Sequence, residues 1–405
     1  MVNRIASLLN SALLSYVIFI MLFITFFPFD YHWPVSFSVN TFWKVQESLQ
    51  NIFLFVPFGY LLASLLNGSF RRTVILAFIG GFSLSLFIEI NQIFIVDRYS
   101  SPIDLANNSL GAVAGALFFL ALRRAGSLKE YGGRLLDIPL MNLVLMLIPL
   151  LWLNAVSSGH DVRRLWLAFL LAFIALYIMV AIYLYGGRGI YSLKRSHLVR
   201  VYTVWYAISF LPELLYFPGR VLAFYLLQMI FMWLLLRRSA RGERREQRYE
   251  LPTLKTVTPL FLVYLLLVAL WPLRGMQGQF DFEVLGALFR RDTSLAFIFS
   301  QIEYFAAFAL AGFMAAQILN RHDFKAWKHF TLILVMAILM ELPRGFHNLH
   351  SANLTHIFLA VFNGTFGALI YFLNLTNYLQ DQHRSNLMND RRLLEKWRME
   401  KEPQM

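Results

Sequence analysis

The sequence predicts an all-α fold, a polytopic integral membrane bundle of about twelve transmembrane helices. Three observations lead there. Of the 405 residues, 58% are hydrophobic and 15% charged, against roughly 45–50% and about 25% in soluble domains. The mean hydropathy is +0.57, and runs of about 20 mostly apolar residues, the length that spans a bilayer, recur along the whole chain. Lysine and arginine alternate between dense and sparse loops, as the positive-inside rule requires.

Taken in order, the apolar runs lie at 6–27, 50–67, 73–95, 106–122, 138–154, 165–185, 198–212, 218–236, 256–272, 295–319, 329–343 and 354–375. The first is too long for a signal-peptide core and lacks a small-residue cleavage pattern, so it reads as an uncleaved span. The run at 198–212 is short and ends on Pro212-Glu213. With the N-terminus in the cytoplasm, 27 of the 36 Lys and Arg residues fall inside and 9 outside. The expected location is the plasma membrane, multi-pass, with both termini cytoplasmic. The same asymmetry explains the formal net charge of +13, so membrane lipid rather than nucleic acid is the expected partner. Cysteine is absent, which excludes disulfides, cysteine-ligated zinc and thiol catalysis.

The layout of 1–125 returns in 251–376. Each segment closes its first span on an aromatic-proline end, FFPFD at 26–30 and WPLR at 271–274. Asn51 and Glu303 open the second spans. Glu89 with Gln92, and Glu341 with Arg344, end the third. Asn107 with Gly111, and Asn363 with Gly367, open the fourth. An even number of spans separates the copies, so the expected arrangement is a parallel repeat of a four-helix unit. Between them, 126–250 holds four further spans and the basic inner loop 237–250, whose charge reads as a topology determinant. The tail, 377–405, is polar, with LLEKWRME at 393–400 as a surface helix.

Charged and amide groups at the end of a membrane helix are costly and mark sites. Residues 84–115 concentrate them, all at the outer boundary by the loop charges. Glu89 and Gln92 share a helix face at i and i+3. Asp97 and Arg98 follow in the outer loop, where the planar guanidinium suits a phosphate or carboxylate, or an ion pair with Asp97 or Asp104. Asp104, Asn107, Asn108 and Gly111 then fall on one helical face, and Asp104, just after Pro102, also suits a helix cap. Asn51 opens the second span at the same boundary, with Pro57 and Gly59 interrupting the apolar run behind it. Two readings of Glu89 stand side by side. It grips a polar head group, or it holds spans two to four together as a packing device.

In the second copy the candidates are Glu303, Glu341, Arg344, His347 and Asn363, with His350 and His356 close by. The histidine spacing lacks an HExxH pattern, so no metal is expected. No GxSxG, Walker A or paired-acid motif occurs elsewhere, and no cofactor is expected.

NIFLFVPFGYLL at 51–62, IEINQ at 88–92, DR at 97–98 and DLANNSLGAVAG at 104–115 stand in an order and spacing that resemble the VanZ-like family of small membrane proteins. The resemblance covers about residues 10–122. The second copy would be a divergent member, without counterparts of Pro57, Gly59 or the Asp104–Asn108 spacing. The family's namesake is associated with resistance to the glycopeptide teicoplanin, which acts outside the cell at the wall precursor. The resemblance therefore implies a role at the cell envelope. The expected function is a non-enzymatic one, binding or shielding an envelope lipid or a lipid-linked or glycopeptide ligand. The rivals are a membrane enzyme acting on a lipid-linked substrate, with Glu89 or Asp104 as base, and a transporter.

Overall fold

The structure, a computed structural model, describes residues 4–27, 29–33, 44–66, 68–95, 98–124, 139–157, 161–185, 195–239, 250–271, 280–281, 295–319, 325–347 and 352–401. Thirteen helices run through them: α1 (Arg4–Phe26), α2 (Val45–Leu66), α3 (Phe70–Gln92), α4 (Pro102–Arg124), α5 (Pro139–Ser157), α6 (Leu165–Tyr185), α7 (Arg195–Ser209), α8 (Leu211–Leu214), α9 (Pro218–Ser239), α10 (Glu250–Ala269), α11 (Leu295–Leu319), α12 (Ala326–Arg344) and α13 (Leu354–Lys401). A 3₁₀ turn, Val162–Arg164, leads into α6. The strands are β1 (Phe280–Asp281) and β2 (Ala352–Asn353), which pair in parallel over two residues each.

Eleven of these helices are long and apolar enough to cross a membrane, so the chain is a multi-pass membrane protein. The expected span at 198–212 is the exception. Its helix, α7, has 15 residues and reaches about 22 Å, short of the roughly 30 Å hydrocarbon core. Arg195, His197 and Arg200 make its start polar, and the helix breaks at Phe210 before Pro212. Its direction nevertheless keeps the alternation of the chain. The Trp205 indole N–H donates to the Val144 carbonyl and that of Trp152 to Ile208, both at 2.9 Å, so α5 and α7 run parallel. Tyr206 donates to the Val221 carbonyl and Thr203 meets Tyr225, so α7 and α9 run antiparallel.

Lipid offers no hydrophobic drive for helix association, so small residues and polar contacts carry the packing. The most extensive interface in the first four helices is α2 on α4, followed by α3 on α4. At the first, Gly111 and Gly115 lie against the carbonyls of Ile52 and Val56, and Gly59 against that of Ala112. Any side chain there would collide with backbone. The same order holds at the other end of the chain, where α11 on α13 leads and α12 on α13 follows. There Gly367 lies against the Ala309 carbonyl and Gly312 against that of Gly364. Gly59 and Gly312 thus each lie against a carbonyl of the last helix of their segment.

Helix α6 is apolar all round, as a helix surrounded by others should be. It lies in the main core, and α5 and α6 join the central helices to α11 and α10. Helix α1 joins the outer segments. Besides packing on α2, its Tyr16 stacks on Phe366 of α13 at 4.3 Å and its Phe23 meets Phe305 of α11 edge-on at 5.9 Å. The polar tail forms no separate element, since α13 continues without interruption to Lys401.

Candidate functional site

The link between α3 and α4 is built around Glu89. Helix α3 ends in a turn at Ile93 and Phe94, and the chain after α1 clips onto it. The His32 N–H donates to the Phe94 carbonyl at 2.7 Å, and Tyr31 bridges Ile95. The Glu89 side chain is buried. Its carboxylate accepts the Ser101 backbone N–H at 2.6 Å and a hydrogen bond from the Ser100 hydroxyl. Ser101 caps α4 in turn, its hydroxyl accepting the Asp104 N–H at 3.3 Å, and Pro102 occupies the first helical position. One carboxylate and one serine thus set where α4 begins.

Asp104 sits on the next turn and accepts from Asn51 Nδ2 of α2 at 2.7 Å. It is close enough to Glu89 and to Glu47 to repel both. Among the described residues, neither Glu89 nor Asp104 has an ion-pair partner, although Glu47 has one in Lys44 at 2.8 Å. One turn further into the membrane, Asn108 donates to the Ser85 hydroxyl at 2.9 Å. Asn107 Nδ2 and Asn108 Oδ1 are buried with no partner among the described residues, a costly state for amides away from water. Asn51, Glu89 and Asp104 therefore come together across α2, α3 and α4, and Asn108 binds α3 at Ser85.

Gln92 and Arg98 do not join them. Both turn towards α1: Gln92 donates to the Thr25 carbonyl at 3.3 Å, and Arg98 to Ile24 and Phe27 at 3.4 and 3.1 Å. These are orphan carbonyls at a helix C-terminus, where a cation is favoured. Burial lowers the Arg98 guanidinium from its ordinary value, and an arginine remains charged through such a shift. Asp97 lies outside the described residues.

Residues 251–376 hold a second carboxylate, Glu341, in a different setting. Glu341 of α12 accepts the Asn353 backbone N–H at 3.2 Å, again from a residue 12 further on that caps the next helix. The Asn353 side chain accepts the His356 N–H at 2.8 Å. Here the carboxylate has basic neighbours: Arg344 at 3.7 Å and His356 Nδ1 at 3.1 Å, with the Tyr304 hydroxyl donating at 3.3 Å and Arg344 over the Tyr304 ring. His347 is buried beside Arg344, whose carbonyl accepts its N–H. Among the described residues no histidine–carboxylate group has metal-binding geometry.

Glu303 and Asn363 belong to other places. Glu303 lies on a different face from its neighbour Tyr304 and points into the junction of α5, α10 and α11. One oxygen accepts Asn154 Nδ2 and the Tyr264 hydroxyl, both at 2.9 Å. The other accepts the Ser157 hydroxyl and Arg164 Nη1, the latter at 2.9 Å. Arg164 also faces the Trp271 ring, the Ser157 hydroxyl and, nearby, Glu213. Four donors on one fully buried carboxylate make a helix-joining device. Asn363 accepts the Tyr16 hydroxyl at 2.5 Å and ties α1 to α13. Sequence reasoning missed Tyr304, Arg164, Asn154 and Tyr264. Only the cost of an arginine and an asparagine at span ends pointed to the latter group.

No protein of curated function and no solved structure matches the chain. A match does cover most of the first four helices and the carboxylate site at their end: residues 13–123 fit the VanZ/LLP1 family model, and that segment is VanZ-like.

Proposed function

We propose that the VanZ-like segment binds an amine-bearing or otherwise hydrogen-bond-donating head group, carried by an envelope lipid or a lipid-linked or glycopeptide ligand, at the extracytoplasmic boundary. The observation that carries this reading is the pair Glu89 and Asp104, two neighbouring carboxylates with no ion-pair partner among the described residues. Two acids at a membrane boundary disfavour a phosphate and favour a cation. Asn107 Nδ2 and Asn108 Oδ1, without a partner among the described residues, add hydrogen-bonding capacity on the same helix. The second segment supports the same logic by contrast, since Arg344 lies 3.7 Å from Glu341 there, whereas Glu89 and Asp104 have no ion-pair partner among the described residues. We take α10–α13 as a parallel copy of α1–α4, on the shared packing order, the twelve-residue carboxylate-to-cap link and the matched glycines.

The outward placement rests on the charge asymmetry of the loops. The test uses Glu89→Gln and Asp104→Asn in the full chain, reconstituted with phosphatidylethanolamine or phosphatidylcholine as probe lipids. Retained phosphatidylethanolamine should fall about tenfold for each variant, equivalent to about 1.4 kcal/mol, with the amount of folded protein unchanged. The competing reading is packing, favoured by the bond from Ser101 that fixes the start of α4. Loss of folded protein in step with loss of lipid would establish packing and reject the site.

A further inference from the structure

At the end of the bundle away from Glu89, α7 and α9 diverge. They are tied together near their other ends by Tyr206 to Val221 and Thr203 to Tyr225. Beyond Tyr225 a groove of about 540 Å³ opens between them. Its walls are apolar: Val199 from α7 and Met229, Met232, Trp233 and Leu236 from α9. Its rim carries two arginines, Arg195 at the start of α7 and Arg237 in the last turn of α9. Arg237 lies over the Trp233 ring at 5.1 Å, which holds the guanidinium at the mouth of the apolar cleft. Neither arginine has a salt bridge to an acidic side chain among the described residues.

We propose that this groove is a site for an anionic phospholipid, one acyl chain lying along Met229, Met232 and Leu236 and the phosphate held between Arg195 and Arg237. The occupant follows from the pairing of wall and rim. A hydrophobic slot in a membrane protein takes an acyl chain, and two guanidinium groups at its rim select phosphate by charge and by planar hydrogen-bonding geometry. Methionine side chains suit the walls because they adapt to a mobile chain. Basic pockets between helices on the cytoplasmic side are a recurrent form of lipid recognition. By the loop charges, this is that side. The site is separate from the Glu89 site in position and opposite in charge.

The experiment is lipid retention by the full chain in nanodiscs of phosphatidylcholine containing a minor fraction of phosphatidylglycerol, read by native mass spectrometry after extraction. Wild type should retain phosphatidylglycerol in preference to phosphatidylcholine. Each arginine is worth about fivefold in affinity at a membrane surface, so Arg195→Gln with Arg237→Gln should cut that preference by roughly 30-fold. Met232→Trp, which fills the slot and keeps both arginines, should also displace the lipid. Equal retention of the two lipids by wild type, or an unchanged preference in the double arginine variant, would overturn the proposal. So would protection by inorganic phosphate alone that Met232→Trp leaves intact, or dimerisation through this face.

Discussion

Replacing Glu303 with alanine should be among the most damaging single changes in the central junction. The side chains of Glu303 and Arg164 are 0% and 3% exposed. Alanine at 303 leaves Arg164 Nη1, Asn154 Nδ2 and the hydroxyls of Ser157 and Tyr264 without their shared acceptor. A buried neutral donor left unmade costs about 1–3 kcal/mol, and an uncompensated buried charge raises the total for a broken pair to about 3–5 kcal/mol. Glu213 lies near enough to Arg164 to return part of this, so about 3 kcal/mol is expected. The opposite change, Arg164→Met, should cost less. The remaining carboxylate keeps three donors, whereas the guanidinium stranded by the alanine loses its carboxylate altogether. The double variant, Arg164→Met with Glu303→Leu, should recover to within about 1–2 kcal/mol of wild type, because well-packed apolar replacements of a buried pair are often neutral. Reversible unfolding in mixed detergent micelles measures all three, and the double-mutant cycle isolates the pair. The reasoning is refuted if Glu303→Ala loses less than about 1 kcal/mol, or if Arg164→Met is the worse of the two.

Other consequences follow from close contacts and caps. Gly111→Leu and Gly115→Leu should prevent α2 from seating on α4, each with a loss of more than about 3 kcal/mol, visible as aggregation on size-exclusion chromatography. Gly219→Ala meets open space in the first turn of α9 and should be neutral or stabilising by up to about 1 kcal/mol in the same micelle assay. Ser101→Ala should cost about 0.5–1 kcal/mol, since it removes the hydroxyl cap at Asp104 but keeps the backbone N–H that Glu89 accepts. Asp161, between α5 and α6, has its carboxyl held below the usual carboxylate range, first by its hydrogen bond from Arg163. A lowered folded-state value contributes stability above the unfolded pKa of about 4 and loses it as pH falls through the folded value. Asp161→Asn should therefore be slightly less stable than wild type at pH 7 and indistinguishable from it near pH 2, the pair being largely exposed.

Much of the fold was legible because bilayer thickness imposes a length on every crossing helix, and the loop charges impose an alternation. The length rule fails at α7, the short apolar run at 198–212, where tertiary contacts from Trp152, Trp205 and Tyr206 hold a helix of 15 residues. The grouping of Asp104 with Asn107 and Asn108 followed from helical period, and the structure adds Asn51 and Glu89 to it. The stripe argument misled at Gln92: sharing a face with Glu89 does not decide which neighbour that face meets, and the open carbonyls of α1 took the amide. Glu303 and Glu341 looked alike in sequence, both acids at span ends. They separate because Tyr304, one residue along from Glu303, occupies the face that meets Glu341. A one-residue step turns a helix by about 100°, and no pattern of apolar runs resolves that.

Helix α1 has a consequence for how the protein is made. Within this sequence it is synthesised first, yet one of its faces is completed by α13, where Asn363 takes the hydroxyl of Tyr16 from 347 residues away and Phe366 covers its ring. Until then Tyr16, Phe19 and Phe23 must be sheltered by lipid or by an insertion factor. A chain halted before residue 354 should hold its VanZ-like segment with one flank unfinished, and proteolysis or labelling at Tyr16 during synthesis would report the moment the last span arrives.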